Sequence, residues 1–188
     1  MQPSQYIGDN SNNNSQNYYI TNIEQRPLVP TIIFKLLSYV KEFRQDDSSD
    51  FSLHQPASIK AKLQFNNVKK YIRLFSESID DYYLLDKILK EEFLDSQKVV
   101  ENIKIIFFNS CKYNIDGEII IDDGDCCLDN MHKDIKERIV RDPEFIKSHI
   151  DDLDIDKFVV ALLQYGVMEC QVLLNPNTYK ENADAVTG

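Results

Sequence analysis

Between Asp154 and Leu174 almost every position is apolar: Asp-Ile-Asp-Lys-Phe-Val-Val-Ala-Leu-Leu-Gln-Tyr-Gly-Val-Met-Glu-Cys-Gln-Val-Leu-Leu, closed by Asn175-Pro176. Asp154 is placed to cap a helix, Asp156 lies near the N-terminus where negative charge is favoured, and the Asn-Pro pair stops the helix. A helix that is apolar nearly all round is either a membrane span or the centre of a core. Lys157, Gln164, Glu169 and Gln171 interrupt this run, whereas a span needs about twenty predominantly apolar residues. The pattern predicts a buried core helix.

Upstream, the apolar positions keep helical spacing. Ile32, Ile33, Leu36, Leu37, Val40 and Phe43 mark one buried face of a helix that Pro30 opens. A polar linker, Arg44 to Asp50, follows it. Pro56 and Ser58 open a long second helix, expected to run to Asp80 and to continue as far as Phe93. Its inward positions are Leu63, Val68, Tyr71, Ile72, Phe75, Ile79 and Tyr82. Ser96 to Lys112 reads as a third helix, with Val99, Val100, Ile103, Ile106 and Phe107 inward. The pattern then breaks. Asp116-Gly117 and Asp123-Gly124 are turn signals, and between them Ile119 to Ile121 is a β-branched run. Helical spacing resumes from Asp125 to Val140, and Asp142-Pro143 opens a short helix through Ile150.

The first eighteen residues are polar and asparagine-rich, and cannot bury enough apolar surface to offset their ordering entropy. The domain plan is therefore a flexible Asn-rich arm over 1–26, with a possible short strand at 18–23, a helical domain over 27–178, and a disordered tail over 179–188. The fold class is all-α: a single bundle of five to six helices around the buried C-terminal helix, with at most a small β element near residue 120.

Composition agrees with this plan. A chain of 188 residues with 43% apolar and 11% aromatic content can fill one core. The net charge of −10 argues against a surface devoted to nucleic acid, which needs a positive field. Four cysteines without a hydrophobic leader point to free thiols and a cytoplasmic location.

Charge is also segregated along the chain. From Phe51 to Ser76 there is no acidic residue, while Lys60, Lys62, Lys69, Lys70 and Arg73 are basic. From Glu77 to Asp95 the balance reverses. A second acidic stretch holds Asp116, Glu118, Asp122, Asp123, Asp125 and Asp129, with no basic residue between Tyr113 and His132. As a calcium loop it fails at the position that needs glycine, where Ile119 stands. Cys126 and Cys127 are adjacent, with His132 nearby, and lack the knuckle spacing of a zinc site. No metal or cofactor is expected. His54, His132 and His149 sit in no catalytic motif and no nucleophile elbow or phosphate loop is present, so no enzyme is expected. Two asparagines, Asn66 and Asn67, stand where helix continuity would disfavour them. Together with Lys69, Lys70, Tyr71 and Arg73 they form the candidate partner-binding site, a polar and positive face for an acidic surface on another protein.

Two segments carry a resemblance. Lys62-Leu63-Gln64-Phe65-Asn66-Asn67-Val68-Lys69-Lys70-Tyr71 is similar to a helix opening of the type Lys-Leu-x-aromatic-Asn-Asn-Val-Lys-Lys-Tyr. Val159-Val160, followed by Cys170-Gln171-Val172-Leu173-Leu174-Asn175-Pro176, resembles the end of the same domain. That domain is the C-terminal one in effector proteins of bacterial three-component anti-phage systems built around an ABC-type ATPase, the Lamassu-like group. The likeness runs from about Pro56 to Asn177. It implies a module that joins an effector to the rest of a complex whose SMC-like ATPase senses DNA. Where such effectors carry a nuclease or other toxic domain ahead of the module, here an arm and one helix stand. The expectation is a non-enzymatic accessory subunit of a defence complex, bridging or regulating the ATPase and a nuclease effector and meeting DNA only through the ATPase. The competing expectation is an acidic immunity or antitoxin protein that occupies the basic site of a nuclease.

Overall fold

The computed structural model describes residues 29–46, 57–169 and 172–176. The N-terminal arm, the strand considered at 18–23 and the tail over 179–188 lie outside the described residues. Within them the chain is an all-α bundle with one small β element. The helices are α1 (Ile32–Asp46), α2 (Ala57–Phe65), α3 (Lys70–Glu77), α4 (Ile79–Lys87), α5 (Ser96–Ser110), α6 (Gly124–Val140) and α7 (Asp152–Glu169). A π-helical turn, Ile88–Glu92, extends α4, and a 3-10 turn, Phe145–Lys147, lies between α6 and α7. Between α5 and α6, strands β1 (Lys112–Tyr113) and β2 (Ile119–Ile120) form an antiparallel hairpin in which Lys112 faces Ile120 and Tyr113 faces Ile119.

Helix α7 is the centre of the core, as its composition requires. Every residue from Phe158 to Val167 is buried, and the helix packs on α4, α6, α3 and α5. No helix of the described residues is long and apolar enough to cross a membrane. The helix bounds differ from the sequence expectation at both ends. Asp151, not Asp154, caps the start, accepting the Asp154 N–H at 2.8 Å. The helix stops at Glu169 rather than Leu174. The chain then turns back, so that the Val172 N–H donates to the Gly166 carbonyl at 3.2 Å and Leu173 adopts a left-handed φ of 69°. Gly166 permits this return, because a Cβ there would lie 2.9 Å from Ile103 and 3.1 Å from Val172. Val172 and Leu173 are thus core residues, but not helical ones.

The amphipathic helices pack as their spacing predicts. Ile33, Leu36, Leu37 and Val40 of α1 are buried, as are Val99, Ile103, Ile106 and Phe107 of α5. A buried carboxylate seats α1: Asp142, without solvent exposure, accepts the Thr31 N–H at 2.6 Å and the Glu144 N–H at 3.0 Å. The segment expected to form a short helix from Asp142 through Ile150 contains a single 3-10 turn. The long helix expected from Ser58 to Asp80 is instead three, broken at Asn66-Asn67 and at Ser78. The first break organises everything described below.

Gln164, buried in the middle of α7, has no hydrogen-bond partner for either amide atom among the described residues. Leaving such a group unsatisfied costs about 1–3 kcal/mol, whereas an apolar group of the same shape can be neutral or stabilising. Gln164→Met is therefore expected to raise the urea midpoint of unfolding with unchanged helicity. A drop in the midpoint would show that the amide is bonded in solution.

Candidate functional site

The break at Asn66-Asn67 is a complete helix terminator. The Val68 N–H donates to the Leu63 carbonyl at 2.9 Å and the Asn67 N–H to the Gln64 carbonyl at 3.0 Å. This is the Schellman pattern, with Asn67 as the left-handed residue at φ 54° and Leu63 and Val68 both buried beneath it. Asparagine is the residue other than glycine that adopts this conformation most readily. The preceding Asn66 is 1% exposed. Its side-chain amide donates to the Lys62 and Leu174 carbonyls, each at 2.8 Å, and its Oδ1 accepts the Leu174 N–H at 2.9 Å. One side chain therefore ties the end of α2 to the segment following α7.

The next helix starts without a cap of its own, since Lys69 supplies no side-chain acceptor. The first amides of a helix have no internal partners. Asp125, on the first turn of α6, supplies them. Its Oδ2 accepts the Lys69 and Lys70 N–H groups, each at 2.9 Å, and its Oδ1 accepts the Tyr71 N–H at 3.2 Å. A carboxylate also complements the positive end of the α3 dipole. In the other direction, the Gly124 N–H donates to the Asn66 carbonyl at 2.9 Å. The contact leaves no room for a side chain: a Cβ on Gly124 would lie 2.5 Å from that carbonyl oxygen and would collide with Val68. Asp123 caps α6 itself, accepting the Cys126 N–H at 3.1 Å. Asn67 completes the joint by donating to the Asp122 carbonyl at 3.3 Å.

One turn further along, Asp129 accepts both the Tyr71 hydroxyl at 2.8 Å and the Lys70 ammonium at 2.6 Å. Burial, then the Asp129 hydrogen bond and charge, push the Tyr71 phenol well above its usual range. Burial raises the Asp129 carboxyl, but the hydrogen bonds from Lys70 and Tyr71 outweigh it and hold the group below its usual value.

The six residues proposed from sequence as a partner-binding face thus divide. Asn66 and Tyr71 are buried and fully engaged inside the chain. Asn67, Lys69, Lys70 and Arg73 are exposed, but Lys70 is committed to Asp129 and Arg73 is paired with Glu77 at 2.8 Å. Lys62 of α2 donates to the Val167 carbonyl in the last turn of α7 at 2.7 Å, where a cation satisfies a terminal carbonyl. Of the five cations in this stretch, Lys60 and Lys69 have ammonium groups without a partner among the described residues. Both accompany the exposed face of α2, where Lys60, Ala61, Gln64 and Phe65 lie at i, i+1, i+4 and i+5.

The acidic stretch resolves in the same way. Asp123 and Asp125 are caps and Asp129 is a hydrogen-bond acceptor, while Asn114 organises the hairpin by accepting the Asp116 and Glu118 N–H groups at 2.9 and 2.8 Å. Gly117 takes the left-handed φ of 80° that its turn requires. Among the described residues no group of three or more His, Cys, Asp or Glu side chains is placed to hold a metal ion. Sequence reasoning missed that the basic and acidic stretches answer one another. The available signal was their complementary composition, with 51–76 free of acids and 114–131 free of bases. No protein-family model matches the chain, and no curated protein or solved structure does either.

Two outcomes test this geometry. Asn66→Ala and Asp125→Ala each strand buried or helix-terminal backbone groups and are expected to cost about 2 kcal/mol in urea unfolding. A change below about 0.5 kcal/mol in both would show that water replaces the joint without penalty. The Asp129 carboxyl, lowered in the folded state, contributes stability that is present above its unfolded value near 3.8 and is lost as pH falls through the folded value. Asp129→Asn is therefore expected to lower stability at neutral pH and to flatten the acid limb below about pH 4, measured as melting temperature against pH. An unchanged acid limb would contradict the assignment.

Proposed function

We propose that the chain is a non-enzymatic, all-α accessory subunit of a bacterial anti-phage defence complex, which bridges or regulates an SMC-like ATPase and a nuclease effector. The observation that carries this reading is that the two segments bearing the Lamassu-like resemblance meet in space. Asn66 of the first bonds both backbone groups of Leu174 in the second, and Lys62 reaches the Val167 carbonyl at the end of α7. That two stretches more than a hundred positions apart, both resembling that domain, also form one joint supports reading the resemblance as one of fold. On this reading the contact surface is sought among side chains the fold leaves over.

Those are Lys60 and Lys69, with the exposed aromatic Phe65 in the same stretch. Local positive charge steers docking on an acidic surface although the chain's net charge is −10. In this reading DNA is engaged by the ATPase alone.

A second reading, the acidic immunity protein, is favoured by the hairpin, whose Asp116, Glu118 and Asp122 are exposed and, among the described residues, meet a cation only in a 4.0 Å approach of Lys112 to Asp122. The test separating the two is co-expression of the tagged chain with an SMC-like ATPase and a nuclease effector of the Lamassu-like group. Lys60→Glu with Lys69→Glu, which keeps the backbone N–H of residue 69 on Asp125 and leaves Lys70 on Asp129, is expected to reduce co-purification at least tenfold at physiological salt with unchanged circular dichroism. Undiminished recovery by that variant, with loss on Asp116→Lys and Glu118→Lys, would overturn the first reading in favour of the second.

A further inference from the structure

Helix α5 carries two large apolar side chains on the side where it should be polar. Val99, Ile103, Ile106 and Phe107 turn inward and are buried. Opposite them, Glu101, Ile105 and Phe108 follow one another at steps of four and three and share one exposed face. Ile105 is 54% exposed and Phe108 48%, on a face that an amphipathic helix gives to charged and polar residues. The apolar surface continues into the hairpin, where Tyr113, Ile115 and Ile120 are exposed. The Tyr113 hydroxyl donates to the Phe108 carbonyl at 2.8 Å, which holds the start of β1 beside the end of α5. Of the eleven large apolar residues exposed among the described residues, five therefore lie in this one stretch, which marks it for burial against another molecule.

We propose that this face of α5 pairs with the same face of a second copy of the chain, the two helices running antiparallel about a twofold axis between Ile105 and Phe108. Charge selects both the partner and the register. Glu101 lies one turn before Ile105; its carboxylate meets the Gln97 amide at 3.4 Å and forms no salt bridge among the described residues. Lys112, two residues past the end of α5, is largely exposed and approaches Asp122 at 4.0 Å. In the antiparallel pair that sets Ile105 of one copy on Phe108 of the other, Glu101 of each copy faces Lys112 of its neighbour. Two ion pairs then flank four apolar side chains, and the contact is self-complementary, as an isologous interface requires. Shifted registers lose this. Ile105 set on itself brings Lys98 against Lys112, and Phe108 set on itself brings Lys104 against Lys112. A parallel pair brings every charge against its like. Juxtaposed like charges are destabilising at an interface, so one register survives.

The pairing goes beyond the accessory-subunit reading and does not rest on it. It uses α5 and the hairpin, whereas Lys60 and Lys69 lie on α2 and just before α3, so each dimer presents two copies of that candidate partner site. A helix of fifteen residues is about 22 Å long. Tyr113, Ile115 and Ile120 lie at opposite ends of the pair and widen the contact toward the area that a specific dimer needs.

Sedimentation equilibrium of the full-length chain alone, over about 5 to about 500 μM, reads the association directly. The expected result is a reversible monomer–dimer equilibrium with nothing larger, because an isologous contact closes on itself. Ile105→Glu places two carboxylates at the axis and is expected to weaken the dimer at least about tenfold. Glu101→Lys and Lys112→Glu are each expected to weaken it at least about fivefold, since each homodimer then holds two like-charged contacts. An equimolar mixture of those two variants is expected to recover the affinity of the unaltered protein, because the mixed dimer restores both ion pairs with the charges exchanged. Circular dichroism checks that each variant is folded. The proposal is overturned by a chain that stays monomeric at the top of the range, or by a dimer that Ile105→Glu leaves intact. It is equally overturned by charge reversals without effect, or by a mixture that associates no better than its components. Should Ile105→Glu fail to fold, the charge-exchange mixture decides alone.

Discussion

The interaction on which this fold depends is the capping of one helix by a carboxylate that belongs to another. Helix α3 begins at Lys70, where the first amides have no acceptors within the helix itself. Asp125 satisfies three of them at once, and it can do so because the Gly124 backbone lies directly against the Asn66 carbonyl. The joint is mutual: α2 ends on Asn66 and Asn67, α3 begins on Asp125, α6 begins on Asp123, and each end depends on the position of the others. A carboxylate holding several backbone N–H groups is among the stronger neutral-pH contacts available to a protein. Asp142 repeats the device at the start of α1.

This arrangement also fixes where the core helix stops. The amide of Asn66 holds the Leu174 backbone, so the chain leaving α7 must reverse, and Gly166 gives Val172 the space to do so. The return buries Val172 and Leu173 without lengthening the helix. The charge segregation of the sequence acquires an internal purpose. Lys62, Lys70 and the amides of residues 69–71 face carbonyls and carboxylates of the same chain. Of the cations in that stretch, Lys60 and Lys69 are exposed with no ion pair among the described residues, and the proposed partner contact rests on them.

Most of the architecture was legible from spacing. The inward faces of α1 and α5, the burial of α7, the turn at Asp116-Gly117 and the short strand at Ile119 all follow from periodicity and turn chemistry. The break at Asn66-Asn67 was not. Leu63, Val68, Tyr71, Ile72 and Phe75 hold helical spacing across it, because a Schellman turn followed by a new helix keeps Val68 and Tyr71 on the core side. Propensity marked the asparagines as out of place, but could not say that a distant glycine and aspartate made the break possible. The same blindness affected the site. Asn66 and Tyr71 have the side chains of an interface and are interior, and Asp125 has the side chain of a solvated loop and is a cap. Their roles depend on contacts some fifty to one hundred positions away, which no local pattern encodes.

Amide hydrogen exchange, followed residue by residue by NMR, addresses the central claim most directly. The amides of Lys69, Lys70 and Tyr71 open a helix, and in a helix without a cap such groups exchange nearly as fast as in an unfolded chain. The account predicts that all three are protected in the native protein, along with Leu174, and that Asp125→Ala releases the three at α3 while leaving the Leu174 amide protected. Rapid exchange of Lys69, Lys70 and Tyr71 in the unaltered protein would contradict it, since the carboxylate would then not be holding the helix that the rest of the joint is built around.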